Sequence, residues 1–411
     1  MITDDATVKK GILFVDDEPN ILTAIKRMLR SLRQDFEFYF AESGKEALAT
    51  MESNPVDIIV SDMRMPGMDG AQLLQEVQQR FPQSIRIMLT GQADEESTLR
   101  TVNIVHQFLS KPCEPEKLKD VLYRAAALHK LVTDSRLKSV VSGIGTLPSL
   151  PSVYKQLQDV LANPEAGLDD VAAVIEQDVA MTAKLLQLVN SSFFGLYQKV
   201  ESPARAVKLL GLDTIKVLAL GVQIFAETKV KALSGLTMEF LWKHSLSVAN
   251  SSKQIAMQAT DDLGLINSCF IAGMLHDVGR LLFLSKMSEE FEPVVQAALA
   301  KNTLLTAEEA AILHATHADV GAYLIGLWGF GGDIIEAIAF HHNLVNYPGT
   351  IFNAALAVHV ADYCYYAHFP AEAIGAAPTL NTAYFYNNGW TEETLEEWVA
   401  AGKKSLEMAE Q

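Results

Sequence analysis

The chain has 411 residues, 49% apolar and 20% charged, which is typical of a packed globular protein of two or three domains. Fifty acidic against thirty-three basic residues give a net charge of −17, which disfavours nucleic-acid binding through a basic face and docking on anionic membranes. The separated cysteines Cys113, Cys269 and Cys364 form no CxxC pair, so no disulfide framework is indicated. The first residues lack the apolar segment of a secretory signal, and we expect a soluble cytoplasmic protein.

Strand and helix patterns alternate over residues 11–130. Predicted strands cover 12–15, 36–40, 57–61, 85–89 and 107–110, and predicted helices cover 19–33, 45–53, 69–81, 94–103 and 114 onward. Five successive strand–helix units of this length predict a parallel sheet covered by helices on both faces. In such a sheet ligands bind at the carboxyl ends of the strands.

The chain from about residue 150 to 410 is helical in pattern throughout. Asp178 caps a predicted helix over 179–190, Pro203 opens another, and Thr391 precedes the last one. We therefore expect an α/β domain followed by an all-α domain.

A stripe of apolar residues links the two halves. It lies on a predicted connecting helix over 114–143 and comprises Leu118, Val121, Ala125, Leu128 and Val132. The stripe spans only two heptads, too few to indicate a coiled coil. Two interpretations stay open: the helix packs on its own sheet, or it forms a homodimer and transmits a signal.

Charged and hydroxyl side chains follow the predicted strands. Asp16 and Asp17 come after the first strand, Asp62 after the third, and Thr90 and Lys111 end the fourth and fifth. The carboxyl ends of parallel strands share one edge, where three carboxylates would repel unless a cation such as Mg²⁺ joined them. A carboxylate beside Mg²⁺ and an ammonium group can attack phosphorus and become an aspartyl phosphate. Taken singly, each residue is also compatible with a helix cap or a surface charge.

The stretches FVDDEPN, IIVSDMRMPGMDG, IMLTG and FLSKP resemble a response-regulator receiver domain over residues 8–130. The resemblance implies a flavodoxin-like doubly wound (βα)5 fold and phosphorylation of Asp62 by a sensor histidine kinase. It also implies that Mg²⁺ is bound by Asp16, Asp17, Asp62 and the backbone carbonyl of Arg64, and that the switch and clamp positions are Thr90, Phe108 and Lys111.

Histidines and aspartates recur along the helical half. His276-Asp277 lies in GMLHDVGRL, and His314 and His317, three residues apart, are predicted to share a helix face. Imidazole with carboxylate suits Mn, Fe, Co or Zn, often as a two-metal site that activates water. The alternative is a set of interior histidines, each bonded to a carbonyl, because adjacent residues such as His276 and Asp277 diverge by about 100° on a helix.

Residues 144–345 resemble an HDOD domain, which is akin to the HD metallophosphohydrolases, and residues 346–411 read as a helical C-terminal extension. The stretches that carry the resemblance include LPSLPSVYKQL, SPARAVKLLGLDTIKVLAL and HADVGAYLIGLWG. The resemblance implies a second set of metal ligands, namely His244, His276, Asp277, His317, His341, His342 and Asp362. HDOD domains are mostly signalling modules without demonstrated catalysis.

Two hypotheses follow for the output. In the main one, the HDOD domain is non-catalytic and acts by contact with a downstream signalling protein that the sequence does not name. In the alternative, it is a receiver-gated metal-dependent phosphohydrolase or phosphodiesterase that uses Fe, Mn or Zn. Arg280 in place of Lys, and NLVNYPGT in place of a Gly-Tyr-Pro signature, argue against hydrolysis of cyclic di-GMP. A DNA-binding output is disfavoured because no basic recognition helix is visible.

Overall fold

The computed structural model describes the chain except residues 1–8, 91–103, 133, 143–159, 161–162, 164–166, 176–204, 206–207, 210, 212–231, 328–331, 348–350 and 411. The chain divides into two compact units. The first, here called the sheet unit, comprises Met1–Ser149 with Tyr323–Phe330, and the second, the helical unit, comprises Leu150–Ala322 with Gly331–Gln411. Strands and helices are numbered over the described residues only.

The sheet unit contains a five-stranded sheet in the order β2-β1-β3-β4-β5, with all neighbouring strands parallel. This confirms the predicted doubly wound α/β fold. The strands are β1 Lys10–Val15, β2 Phe36–Ala41, β3 Ile58–Asp62, β4 Ile85–Thr90 and β5 Gln107–Ser110. The helices of this unit are α1 Pro19–Met28, α2 Gly44–Ser53, α3 Gly70–Arg80, α4 Pro115–Leu131 and α5 Ser135–Ser142.

Burial on both faces explains the apolar runs ILFV in β1 and IIV in β3. Every residue of β3 is buried, and so is every residue of β1 except the first. Side-chain caps fix where the covering helices begin: the Ser43 side chain accepts from an amide of α2, and Asp69 forms a capping box with Gln72 of α3. These caps set the lengths of the loops that follow β2 and β3, next to the edge where the site lies.

Three helix predictions differ from the structure or lie outside it. The helix predicted over 19–33 ends at Met28 and is followed by a 3-10 turn over Arg30–Gln34. The connecting helix predicted over 114–143 is two helices, α4 and α5, because Val132 takes an extended conformation. The helix predicted over 94–103 lies outside the described residues.

The apolar stripe of α4 is buried. Its five residues, Leu118, Val121, Ala125, Leu128 and Val132, are each at most 6% exposed. A stripe that is covered within the chain has little surface left for a second copy. The five residues of this stripe are therefore covered by other parts of the chain.

A buried arginine connects α5 to the sheet through hydrogen bonds. It lies at the ends of the strands opposite the predicted site. Arg86 of β4 donates to the backbone carbonyls of Ser84 at 3.2 Å, Ile104 at 2.6 Å and Ser142 at 2.6 Å. Burial lowers the pKa of Arg86 to about 10. The Nδ1 atom of His106 accepts from the Arg86 amide, so its Nε2–H is free to donate to the Ser142 carbonyl.

All regular elements described after residue 160 are helical, which confirms the predicted all-α second half. Their bounds are α6 Leu168–Ile175, α7 Met238–Ala259, α8 Leu263–Leu275, α9 Val278–Lys286, α10 Ser288–Lys301, α11 Leu305–Leu313, α12 His317–Leu327, α13 Gly332–Phe340, α14 Ala354–His368, α15 Thr382–Asn387 and α16 Glu392–Glu410. Short 3-10 turns cover Leu344–Asn346 and Pro370–Glu372. The predicted helix over 179–190 and the predicted opening at Pro203 lie outside the described residues.

One apolar stretch, Leu263–Lys286, is long enough by length and composition to cross a membrane. In the structure 88% of its most apolar window is buried, and the stretch comprises two helices, α8 and α9, separated at His276 and Asp277. Burial of this kind is typical of core helices in soluble proteins.

A close backbone approach joins α9 to the start of α12. A Cβ atom added at Gly279 would lie 2.0 Å from the carbonyl oxygen of His317, whereas a Cβ atom added at Gly332 would meet nothing within 4 Å. Only a glycine fits at residue 279 because backbone atoms cannot move aside cheaply.

We expect Gly279→Ala to lower the free energy of unfolding by about 1–3 kcal/mol, because the added methyl group overpacks the α9–α12 contact. Urea denaturation followed by circular dichroism measures the effect, and Gly332→Ala is the matched control. Equal urea midpoints for the two variants would show that the approach is not a constraint.

Candidate sites at the strand ends and in the helical core

The predicted strand-end residues meet at one edge of the sheet. The strand register places Asp62 opposite Leu89 and Thr90 opposite Ser110. Asp16 directly follows β1, and Lys111 directly follows β5. The Lys111 Nζ atom lies 2.8 Å from Asp16 Oδ2 and 2.6 Å from Asp62 Oδ1. Residues separated by up to 95 positions in sequence therefore share one ion-pair network.

The charge at this edge is suited to a divalent cation. One oxygen from each of Asp16, Asp17 and Asp62 lies within 4.8 Å of the others. Three carboxylates and the Lys111 ammonium carry a formal charge of −2, which Mg²⁺ would neutralise. Burial alone would lower the pKa of Lys111, but its hydrogen bonds to Asp16 and Asp62 outweigh burial and raise the pKa.

The other residues predicted for this edge are Arg64, Thr90 and Phe108. The Arg64 amide donates to Asp62 Oδ2 at 3.3 Å, so residue 64 lies next to the carboxylate. Thr90 is half-buried at the end of β4. The backbone of Phe108 pairs with Met88 in the sheet, and its side chain lies outside the described residues.

The second set of predicted ligands converges in the core of the helical unit. The ligands come from α7, the α8–α9 junction, the start of α12, the residues after α13, and α14. They form two groups whose ligand atoms lie within 4.8 Å of one another. We call His244, His276 and Asp362 the first half-site, and Asp277, His317, His341 and His342 the second half-site.

A helix break lets the adjacent His276 and Asp277 serve the same cluster. Helix α8 ends at Leu275 and α9 begins at Val278, so the two residues lie between the helices and not on a continuous one. Their side chains converge, with 3.6 Å between His276 Nε2 and Asp277 Oδ2. The divergence of about 100° expected on an unbroken helix does not apply here.

Asp277 joins the two half-sites. Its Oδ2 atom lies 3.3 Å from Nε2 of His244, and its Oδ1 atom lies 3.1 Å from Nε2 of His317. In the first half-site, His244 Nε2 is 3.3 Å from Asp362 Oδ1 and 3.0 Å from His276 Nε2. In the second, His342 Nε2 is 3.2 Å from His317 Nε2.

Backbone carbonyls orient two of the imidazole rings toward the cluster. The Nδ1–H of His276 donates to the Gly273 carbonyl, and that of His341 donates to the Ile338 carbonyl, each at 2.7 Å. Burial lowers the pKa of His276 to about 4 and that of His341 well below its ordinary value, so both rings are neutral and expose an Nε2 lone pair. Metal-binding histidines are commonly held in this way.

Several polar atoms of the cluster are buried without a hydrogen-bond partner. They are His244 Nδ1, His341 Nε2, Asp277 Oδ1 and Asp362 Oδ1. Buried polar atoms are normally paired, so orphaned atoms on ligand-type side chains indicate a missing group. Nitrogen and oxygen donors of this kind fit Fe, Mn or Zn.

Two neighbouring residues were not predicted. Both carboxylate oxygens of Glu309, which is fully buried, contact His317 Nδ1 at 2.8 and 2.9 Å, and Glu309 Oε2 also accepts from the His317 amide at 2.9 Å. The Nδ1 atom of His359 lies 2.6 Å from the carbonyl oxygen of His341. The only sequence signal for Glu309 is an acidic residue eight positions before His317. A connection across a helix break has no fixed geometry, so this spacing predicts no contact.

The predicted pairing of His314 with His317 on one helix face is wrong. Helix α11 ends at Leu313, and His314 is exposed in the left-handed region with φ 57°. His317 instead starts α12, so a break separates the two histidines.

A cleft of about 80 Å³ leads to the cluster within the helical unit. Its polar lining includes Arg280, His342, His359 and Tyr366. Its apolar lining includes Leu304, Leu305, Ile374 and Pro378. A small molecule has a route to the second half-site through His342.

Family models match two parts of the chain. Residues 12–123 match the response regulator receiver domain, and residues 147–344 match the HDOD domain. The chain carries a response regulator receiver domain followed by an HDOD domain. The strand-end site lies in the receiver domain, and Asp362 comes from α14, beyond the matched part of the HDOD domain.

Among solved structures, an HDOD domain protein of unknown function from Geobacter sulfurreducens is 25% identical, with a TM-score of 0.52 over 67% of this chain and 94% of that one. An uncharacterized protein of Treponema pallidum is 30% identical over 210 residues, 51% of this chain and 40% of that protein. The hydrogenase transcriptional regulatory protein HoxA of Cupriavidus necator is 34% identical over 174 residues, 40% of this chain and 36% of that protein. The chain thus matches well under half the length of these two curated relatives.

The Glu309–His317 pair predicts a pH-dependent stability of the metal-free protein. Burial alone would lower the pKa of His317, but the Glu309 carboxylate outweighs burial and raises the pKa to about 9. The unfolded value is about 6.5, so the stabilisation is complete below pH 6.5 and is lost as the pH rises toward 9.

We expect the urea midpoint of metal-free protein to fall between pH 6.5 and 8, and Glu309→Gln to flatten this slope. Glu308→Gln is the control, because Glu308 pairs with Lys301 and Thr303 instead of His317. If the urea midpoints of both variants depend on pH with the same slope, the Glu309–His317 pair does not cause the pH-dependent stability.

Proposed function

We propose that the chain is a cytoplasmic response regulator in which a sensor histidine kinase phosphorylates Asp62 and the HDOD domain passes the signal to a downstream protein by direct contact. A receiver domain implies a kinase partner in general. The observation that carries the proposal is the position of the Lys111 ammonium, 2.6 Å from Asp62 Oδ1 and 2.8 Å from Asp16 Oδ2. The identities of the kinase and the downstream protein stay open.

The arrangement supports transfer of a phosphoryl group to Asp62. A carboxylate oxygen of Asp62 attacks phosphorus, a P–O bond forms, and the P–N bond to the donor histidine breaks with its electron pair left on the imidazole. Lys111 offsets the charge on the transferred oxygens. Mg²⁺ bound by Asp16, Asp17, Asp62 and the Arg64 carbonyl would supply the remaining positive charge.

The response would spread from residues beside the acceptor. Once the phosphoryl group is on Asp62, the hydroxyl of Thr90 can donate a hydrogen bond to it, and Phe108 on the neighbouring strand follows this change. The altered receiver surface would change its partners. The direction of regulation stays open.

We expect Asp62→Asn to abolish labelling by a small phosphodonor in the presence of Mg²⁺, because an amide oxygen is a poor nucleophile. Intact-mass spectrometry detects the acid-labile phosphoryl adduct. Asp69→Asn is the control, because Asn also caps helices well and the residue lies in the same strand-end loop. An adduct of equal yield on the Asp62→Asn variant would mean that another residue is the acceptor.

A second candidate function for the HDOD domain is metal-dependent phosphohydrolysis. Seven buried or half-buried ligand-type residues meet, some of their polar atoms have no hydrogen-bond partner, and a cleft of about 80 Å³ reaches His342. Bound Fe, Mn or Zn would supply an activated water for attack on a phosphoester. The His and Asp side chains would hold the ion, and the cleft would give it access to solvent.

We expect protein purified from cells to contain Fe, Mn or Zn, and His341→Asn to lose most of it. His314→Asn is the matched control, because His314 is exposed and its left-handed conformation suits Asn. Elemental analysis by mass spectrometry gives the metal content per chain. Metal-free wild-type protein without phosphoesterase activity would exclude this second function and leave the protein-contact output.

A further inference from the structure

We propose that Arg280 acts as a fixed cation in the histidine–carboxylate cluster and restricts the cluster to one metal ion, held in the second half-site. This inference rests on the proposal that the cluster binds a transition metal. It concerns the number and position of the ions, which the family match leaves open.

The carboxylate of Asp277, a member of the second half-site, faces both half-sites. Its Oδ2 atom faces the first half-site, 3.3 Å from His244 Nε2 and 3.6 Å from His276 Nε2. Its Oδ1 atom faces the second, 3.1 Å from His317 Nε2. An ion in the first half-site would therefore lie beside Asp277 Oδ2, although His244, His276 and Asp362 are its own ligands.

Arg280 engages the Asp277 oxygen that faces the first half-site. Its Nη1 atom donates to Asp277 Oδ2 at 2.7 Å and to the Tyr366 hydroxyl at 3.2 Å. Arg280 lies one helical turn after Asp277 and is only 4% exposed, so its guanidinium is held in place. A guanidinium does not lose its proton in proteins. A metal ion on Oδ2 would therefore face a permanent positive charge in a buried, low-dielectric setting.

The first half-site contains a hydrogen bond between two of its own histidines. His276 Nδ1 donates to the Gly273 carbonyl, so its Nε2 can accept a proton from His244 Nε2, 3.0 Å away. The same His244 atom lies 3.3 Å from Asp362 Oδ1. Asp277 Oδ2 is thus bonded to Arg280, whereas His244 Nδ1 and Asp362 Oδ1 have no hydrogen-bond partner.

The second half-site keeps its donors for a metal. His341 Nε2 and Asp277 Oδ1 are buried and have no hydrogen-bond partner. Glu309 accepts a hydrogen bond from Nδ1 of His317, and carboxylates commonly orient metal-bound histidines in this way. His342 completes a set of four ligands. This half-site can therefore hold an ion without using the oxygen that Arg280 occupies.

The experiment counts bound metal in the full-length protein. Chelator-stripped protein is titrated with Mn²⁺ by calorimetry in excess Mg²⁺, which saturates the receiver site. The wild type and the exposed-charge control Lys404→Met should each bind one equivalent. Arg280→Met and Arg280→Gln should each bind two, and measuring both keeps the test valid if one of them fails to fold. His341→Ala should bind none, whereas His244→Ala should keep one.

The outcomes distinguish the proposed role of Arg280 from the proposal that the cluster binds a metal. Two equivalents in the wild type, or one in a folded Arg280 variant, would overturn the role of Arg280 while leaving the metal cluster in place. Loss of the ion in His244→Ala but not in His341→Ala would overturn its position. No binding in the wild type or in either Arg280 variant would instead refute the metal proposal itself.

Discussion

The contact of the Lys111 ammonium with Asp16 and Asp62 is the interaction on which the receiver site depends. Asp16 is 1% exposed and Asp62 is 9% exposed, and buried carboxylates are costly unless positive charge lies beside them. Lys111 supplies one positive charge. A divalent cation would neutralise the remaining formal charge of the site. The parallel sheet makes this possible because it brings the ends of β1, β3 and β5 to the same edge.

The HDOD cluster also contains buried carboxylates, but different groups lie beside them. Asp277, Asp362 and Glu309 are all buried, and their neighbours are Arg280 and imidazole rings. Imidazoles can carry a proton or bind a metal, whereas Lys111 in the receiver domain keeps its proton. This difference is why the receiver chemistry can be derived from fixed charges, while the HDOD domain admits both a protein-contact output and a metal-dependent one.

The receiver domain could be predicted from sequence because its site residues sit at the ends of strands with clear patterns. A strand end predicts a position in space, so Asp62 and Lys111 could be placed together from spacing alone. The helical half offered no comparable rule. The break between Leu275 and Val278, the contact of Glu309 with His317 and the separation of His314 from His317 depend on where helices stop. Such ends are set by tertiary packing, which a single sequence does not reveal.

The most direct test of the account is ¹⁹F NMR of the full-length protein with beryllium fluoride, which forms a phosphoryl-like group on a carboxylate oxygen. The account predicts protein-bound fluorine signals that require Mg²⁺, appear in the wild type and vanish in Asp62→Ala. Bound signals of equal intensity in Asp62→Ala, or none in the wild type, would contradict the assignment of Asp62 as the phosphoacceptor.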